Sequence, residues 1–107
     1  MSFPGAEIKF TPKITVVSVT NSASGQSTHQ LQEGCKAFTV ICNEFELIRV
    51  AWETGQVGSA SGNWFILYPR ESYTVNGLHI APDNHDTLYM NAPSASAAVD
   101  VAVIEWL

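Results

Sequence analysis

The stretch Trp64–Ile80, WFILYPRESYTVNGLHI, joins two short apolar runs through Pro69-Arg70-Glu71 and closes the second with Asn76-Gly77. The charged corner either carries chemistry or turns a strand around. Proline removes a ladder donor and fixes φ, so Pro69 ends the run WFILY at a sheet edge or bend. Arg70 and Glu71 are adjacent, so on extended chain they point to opposite faces and cannot act together on one substrate. Asn-Gly tolerates positive φ and closes a tight turn. The stretch predicts strand, proline bend, strand, turn, strand. It is a scaffold.

The same grammar runs outward in both directions. Upstream, ITVVSVT (14–20), STHQLQ (27–32), KAFTVIC (36–42) and LIRVAWE (47–53) are strand candidates, separated by NSASG and by the Glu33-Gly34 turn. TGQVGSASGN (54–63), with three glycines, predicts a flexible loop. Downstream of LHIA (78–81), the cluster PDNHD precedes TLYM (87–90), and AVDVAVIEW (98–106) alternates strictly. Val99, Val101, Val103 and Glu105 share one face of that last run, and Ala98, Asp100, Ala102, Ile104 and Trp106 share the other. No window repeats at i, i+3, i+4, i+7, so no amphipathic helix is expected. About eight short strands at roughly 8–12-residue spacing predict an all-β fold, an antiparallel β-sandwich or jelly-roll-like barrel. Residues 1–13, with two prolines and a glycine, predict an extended N-terminal arm; residues 14–107 predict a single domain.

A chain of 107 residues with 46% hydrophobic content is large enough for one core without staples. Only 14% of residues are charged, which leaves a surface rich in hydroxyls and amides. All five basic residues lie within residues 1–70, and residues 71–107 hold Glu71, Asp83, Asp86, Asp100 and Glu105 without one Lys or Arg. The formal charge of −5 therefore sits in the last third. Direct nucleic-acid binding is disfavoured, because neutralising phosphates takes clustered cations. No apolar run approaches the roughly 20 residues needed to cross a bilayer as a helix, and the first residues lack the pattern of a signal peptide. Cys35 and Cys42, placed on one strand, would point to opposite faces roughly 23 Å apart, too far to bridge. Two free, buried thiols are expected, which fits a reducing compartment.

No motif for chemistry assembles along the chain. Gly58-Ser59-Ala60-Ser61-Gly62 puts Ala60 where a nucleophile elbow needs serine. His29, His79 and His85 lack metal-ligand spacing, and no Cys-x-x-Cys accompanies them. Asp83-Asn84-His85-Asp86 offers oxygen ligands but reads as an Asx-rich turn. Trp52, Trp64 and Trp106 would make a sugar platform only if two were exposed and coplanar; aromatic residues on strands more often fill the core. The expectation is no catalytic residue, no cofactor and no metal site. The arm's Phe3, Pro4, Ile8 and Phe10 are the predicted partner contacts, because a free arm has no other reason to retain apolar anchors.

The turn Glu33-Gly34-Cys35-Lys36-Ala37 leads into an apolar strand, and the bend from Ile66 to Tyr73 precedes the strand Thr87-Leu88-Tyr89 and the alternating terminal strand. From residue 14 to 107 this order resembles the small β-sandwich structural proteins of tailed bacteriophages, including capsid cement or decoration proteins. Arg70 stands where that group commonly has a glycine after the proline. The resemblance implies a virion structural protein, made in the host cytoplasm, that binds the outside of the major capsid protein shell. It further implies a homo-oligomer, a trimer at local three-fold positions, holding neighbouring shell subunits together. A neck, adaptor or tail component of the same particle is the related alternative. A carbohydrate-binding module using Trp52 or Trp64, and a cupin-like metal enzyme, are rivals from other classes.

Overall fold

The computed structural model describes residues 12–76 and 86–107. These residues are all-β: β1 (Pro12–Val19), β2 (Ser27–Gln30), β3 (Ala37–Cys42), β4 (Ile48–Ala51), β5 (Phe65–Leu67), β6 (Ser72–Asn76), β7 (Thr87–Asn91) and β8 (Val99–Trp106). Each matches a predicted run; LHIA and the arm with Phe3, Pro4, Ile8 and Phe10 lie outside the described residues. Pro12 and Lys13, assigned to the arm by the sequence pattern, are the first residues of β1 and pair with Trp106 and Glu105. Proline is tolerated there because it opens an edge strand.

The pairing is nested. β1 pairs with β8, β2 with β7, β3 with β6 and β4 with β5, all antiparallel, as though one long hairpin had been rolled up. Two further antiparallel contacts, β3 with β8 and β4 with β7, close the roll into sheets of order β1-β8-β3-β6 and β2-β7-β4-β5. That order is a jelly roll.

Alternation supplies the filling. Phe38, Val40 and Cys42 of β3, Val99, Val101 and Val103 of β8, Ile48 and Val50 of β4, and Leu88 and Met90 of β7 meet in one core. Each such side chain contributes about 1.5–3 kcal/mol by leaving water. Both cysteines are free and buried in that core. Opposite-face placement fails for them because Cys35 precedes β3 in a turn, where its N–H donates to Gln32 O at 3.1 Å.

The Gly-rich segment 54–63 is a packed cover rather than a flexible loop. Val57 is fully buried, and its carbonyl accepts from Arg49 Nη1 at 3.1 Å and Asn91 Nδ2 at 2.9 Å. Arg49 and Asn91 are register partners on the outer side of the second sheet. The Trp64 indole N–H donates to Ser59 O at 2.8 Å, and the Arg49 guanidinium lies 4.3 Å over its ring. Gly62 is required by this close packing, since a Cβ there would meet Gln56 O at 1.9 Å.

The corner at 68–71 is a turn, as its sequence suggests. Glu71 N–H donates to Tyr68 O at 3.0 Å, and the Glu71 carboxylate accepts from Tyr68 N–H at 3.0 Å. Arg70 N–H donates to Cys42 O at 3.2 Å, which fastens the corner to the end of β3. Arg70 adopts φ 63°, the third position of a type II turn, where glycine is the default. Replacing Arg70 by Gly should leave urea-unfolding stability within about 1 kcal/mol of the parent, strain relief offsetting backbone entropy. Arg70→Val should lose about 1–2 kcal/mol, because a β-branched residue resists positive φ. A valine variant as stable as the parent would contradict this geometry.

Candidate functional site

Three features could carry function: a groove at one end of the roll, the polar pair beneath it, and the bare outer face of the first sheet. The groove is open, about 580 Å³, and lined by Lys13, Gln30, Leu31, Gln32, Glu33 and Gly34. Lys13 Nζ donates to Gln32 Oε1 at 2.8 Å across it. Its wall is the turn after β2, and that turn is fixed from inside.

Glu105 does the fixing. The alternation of β8 puts it on the core face after Val99, Val101 and Val103, and it is 1% exposed. Its Oε1 lies 2.6 Å from His29 Nε2, which reaches from β2 in the opposite sheet, and its Oε2 accepts from Gln32 N–H at 2.7 Å. A carboxylate only accepts, so Nε2–H of His29 is the donor. A buried carboxylate without such partners would be strongly destabilising. The pair therefore ties sheet to sheet and turn to sheet. Alternation in the sequence placed Glu105 on one face with Val99, Val101 and Val103 but could not foresee His29, because the two are 76 residues apart. A charged residue ending an otherwise apolar face was the available signal.

The neighbouring thiol is held in its neutral form. Burial pushes the Cys35 thiol up, and the Glu105 carboxylate pushes it further. Its Sγ donates to Ala37 O at 3.1 Å. Burial likewise raises Cys42. Reactive cysteines require the opposite shift. Among the described residues, no three His, Cys, Asp or Glu side chains come together as a metal site. His79, His85, Asp83 and Asn84 lie outside the described residues; Asp86 contributes its carbonyl to Leu31 N–H at 2.9 Å. Trp52 packs edge-on to Phe38 with centroids 5.6 Å apart, and Trp64 sits under Arg49, so these two serve different walls.

The outer face of the first sheet is the third feature. Register places three successive outward rows across β1, β8, β3 and β6: Pro12, Trp106, Ala37, Asn76; then Ile14, Ile104, Thr39, Thr74; then Val16, Ala102, Ile41, Ser72. None of these side chains is ionisable. Ile14 is 65% and Val16 63% exposed, unusual for aliphatic residues on a regular strand. The Thr39 and Thr74 hydroxyls bond to each other at 2.9 Å, which keeps that part of the surface flat and quiet. On the second sheet the chain lays Val57 and its loop over the outside; among the described residues no such segment is laid over Ile14 and Val16.

No protein-family profile and no curated protein matches the chain. Two solved structures are similar in fold. One is a de novo designed double-stranded β-helix, studied in solution, with TM-score 0.51 and 10% identity, covering 89% of this chain and 97% of that one. The other is a crystal structure of PirA, with TM-score 0.47 and 12% identity, covering 96% and 98%. At such identity the first likeness speaks to the jelly-roll architecture alone.

Two measurements check the interior. Glu105→Leu should lower unfolding stability by about 3 kcal/mol, since it strands His29 and the Gln32 N–H. Adding His29→Leu to it should recover roughly 1 kcal/mol or more; a single variant losing under about 1 kcal/mol would show the tie to be idle. The thiols set an alkaline limit. Their folded values lie above the unfolded ones, so their contribution is complete below about pH 8.5 and is lost as pH rises through the folded values. Stability measured from pH 7 to 10.5 should fall less steeply in the Cys35→Ala, Cys42→Ala double variant than in the parent.

Proposed function

We propose that this chain is a non-enzymatic virion structural protein, a capsid cement or decoration subunit that stabilises a phage head by binding between major capsid subunits. The supporting observation is where the polar and apolar groups are spent. The interior polar groups, Glu105, His29 and Asn91, are engaged in holding the roll together, while aliphatic side chains stand outside on the first sheet, in three rows that carry no ionisable side chain. A protein that works by burying its exterior against a repeated lattice needs that distribution. Affinity then accumulates from many shallow contacts repeated by symmetry. A jelly roll is compatible with this role, though the fold alone does not select a function.

In this reading the arm supplies the first contact with the shell, through Phe3, Pro4, Ile8 and Phe10. An extended segment bearing spaced apolar anchors can add to a neighbour's sheet edge. The acidic excess of residues 71–107 keeps the subunit off packaged nucleic acid and directs it to protein. A neck or tail location would use the same chemistry on a different ring of subunits.

Deleting residues 1–11 spares β1 and should abolish co-sedimentation with undecorated heads while leaving the circular dichroism spectrum that of a folded sheet protein. Undiminished binding by the shortened chain would remove the arm from this role. Parent protein that fails to bind heads at all, while binding isolated necks or tails, would move the site of action within the particle.

A further inference from the structure

We propose that Arg49, at the rim of the lid over the second sheet, holds the carboxylate of a ligand whose apolar body rests on Ile66 and Tyr68. This does not depend on the virion reading; it rests on a guanidinium that the fold places but does not neutralise.

One row of the second sheet sets the site. Asn91, Arg49 and Ile66 are register partners across β7, β4 and β5 and share the outer side. Cover tapers along that row: Asn91 is fully buried, Arg49 half-buried and Ile66 37% exposed. The edge of the lid therefore falls on Arg49. Beyond it, Leu67 turns into the core, while Ile66 and Tyr68, the latter 55% exposed, stay outside. A cation thus borders an aliphatic and an aromatic side chain that remain in water.

Arg49 is fixed from the lid side. Its Nη1 donates to Val57 O at 3.1 Å, and its guanidinium lies 4.3 Å over the Trp64 ring, which is itself held by the indole N–H on Ser59 O. A guanidinium has further N–H donors in the same plane, and these remain for a ligand. Among the described residues no carboxylate pairs with Arg49: the ion pair there is that of His29 with Glu105, and Glu71 is turned onto the Tyr68 N–H. Closing the lid does not by itself call for an arginine, since Asn91 Nδ2 binds the same carbonyl at 2.9 Å. A cation drawn partly out of water is best matched by an anion.

The chemistry of that anion follows from the site. The planar fork of a guanidinium matches a carboxylate through two parallel N–H···O bonds. One guanidinium neutralises one charge, and Arg70 is turned over the Phe45 ring instead, so a monoanion suits the site better than a dianionic phosphate. Ile66 and Tyr68 beside the fork favour a carboxylate carried on an apolar body. Small organic acids and the C-terminal residue of a peptide both present that group. Because Trp64 and Val57 O already restrain the fork, little side-chain freedom is lost on binding. One bidentate pair with a partly open apolar contact corresponds to a Kd on the order of 1 mM.

The test is isothermal titration calorimetry of the full chain at neutral pH and constant ionic strength, with isocaproate as the probe, whose body matches a leucine side chain. Saturable binding is expected, with uncharged isocaproamide at least tenfold weaker and acetate several-fold weaker. Arg49→Lys keeps the charge without the fork and should weaken binding at least fivefold with an unchanged circular dichroism spectrum. Tyr68→Ser, at an exposed position, should weaken it several-fold. Acetyl-valyl-leucine separates the two sources of the group: tighter binding than isocaproate assigns the site to peptide C-termini, equal or weaker binding assigns it to small acids, and either upholds the carboxylate. No saturation by isocaproate up to about 50 mM would overturn the proposal. So would isocaproamide binding as tightly as isocaproate, or undiminished binding by either variant.

Discussion

A carboxylate enclosed between two sheets must be matched where it stands, and Glu105 is matched from two directions. His29 comes across the sandwich from β2, and the Gln32 amide comes from the turn that follows it. That pair of bonds decides more than its own corner. It holds the second sheet against the end of β8, fixes the turn that walls the groove, and places a negative charge beside Cys35. Because β8 is hydrogen-bonded to β1 on one side and β3 on the other, whatever anchors its end anchors the middle of the first sheet. Apolar packing supplies most of the stability of such a roll, but it is non-directional. The buried pair specifies where one sheet sits on the other.

The two outer faces are treated differently by the same chain. Outside the second sheet, Arg49 and Asn91 stand side by side and both reach for Val57 O, so a loop full of glycine and serine becomes a fixed lid with an apolar plug. Outside the first sheet, Ile14 and Val16 remain in water. Leaving aliphatic side chains exposed while a cover has been built elsewhere is economical only if something else covers them. That asymmetry, rather than any pocket, is where function is most naturally sought.

The fold is similar to that of a de novo designed double-stranded β-helix at 10% identity, so an architecture of this kind can be specified by very different side chains. Pattern and register are enough to build the architecture. What a particular roll does is then written on its exterior and its ends, where the fold places few demands.

Alternation alone determined much of this protein. The run AVDVAVIEW sorted its residues onto two faces, and KAFTVIC marked a strand, since the side-chain period of a strand is two whatever its partners are. Pro69 marked the turn at 68–71 because its backbone preference is local, and Arg70 stood out as a side chain in a glycine's place. Only the tertiary structure could decide the rest. His29 looked like an unremarkable residue of a weak strand until β2 was laid opposite β8, and Cys35 left β3 for a turn whose other bonds are long-range. The loop at 54–63 looked mobile by composition, yet two side chains from different strands fix it. Local rules are carried by neighbours in the chain; partners brought together by strand order are 34, 69 and 76 residues apart, and no local rule reaches that far.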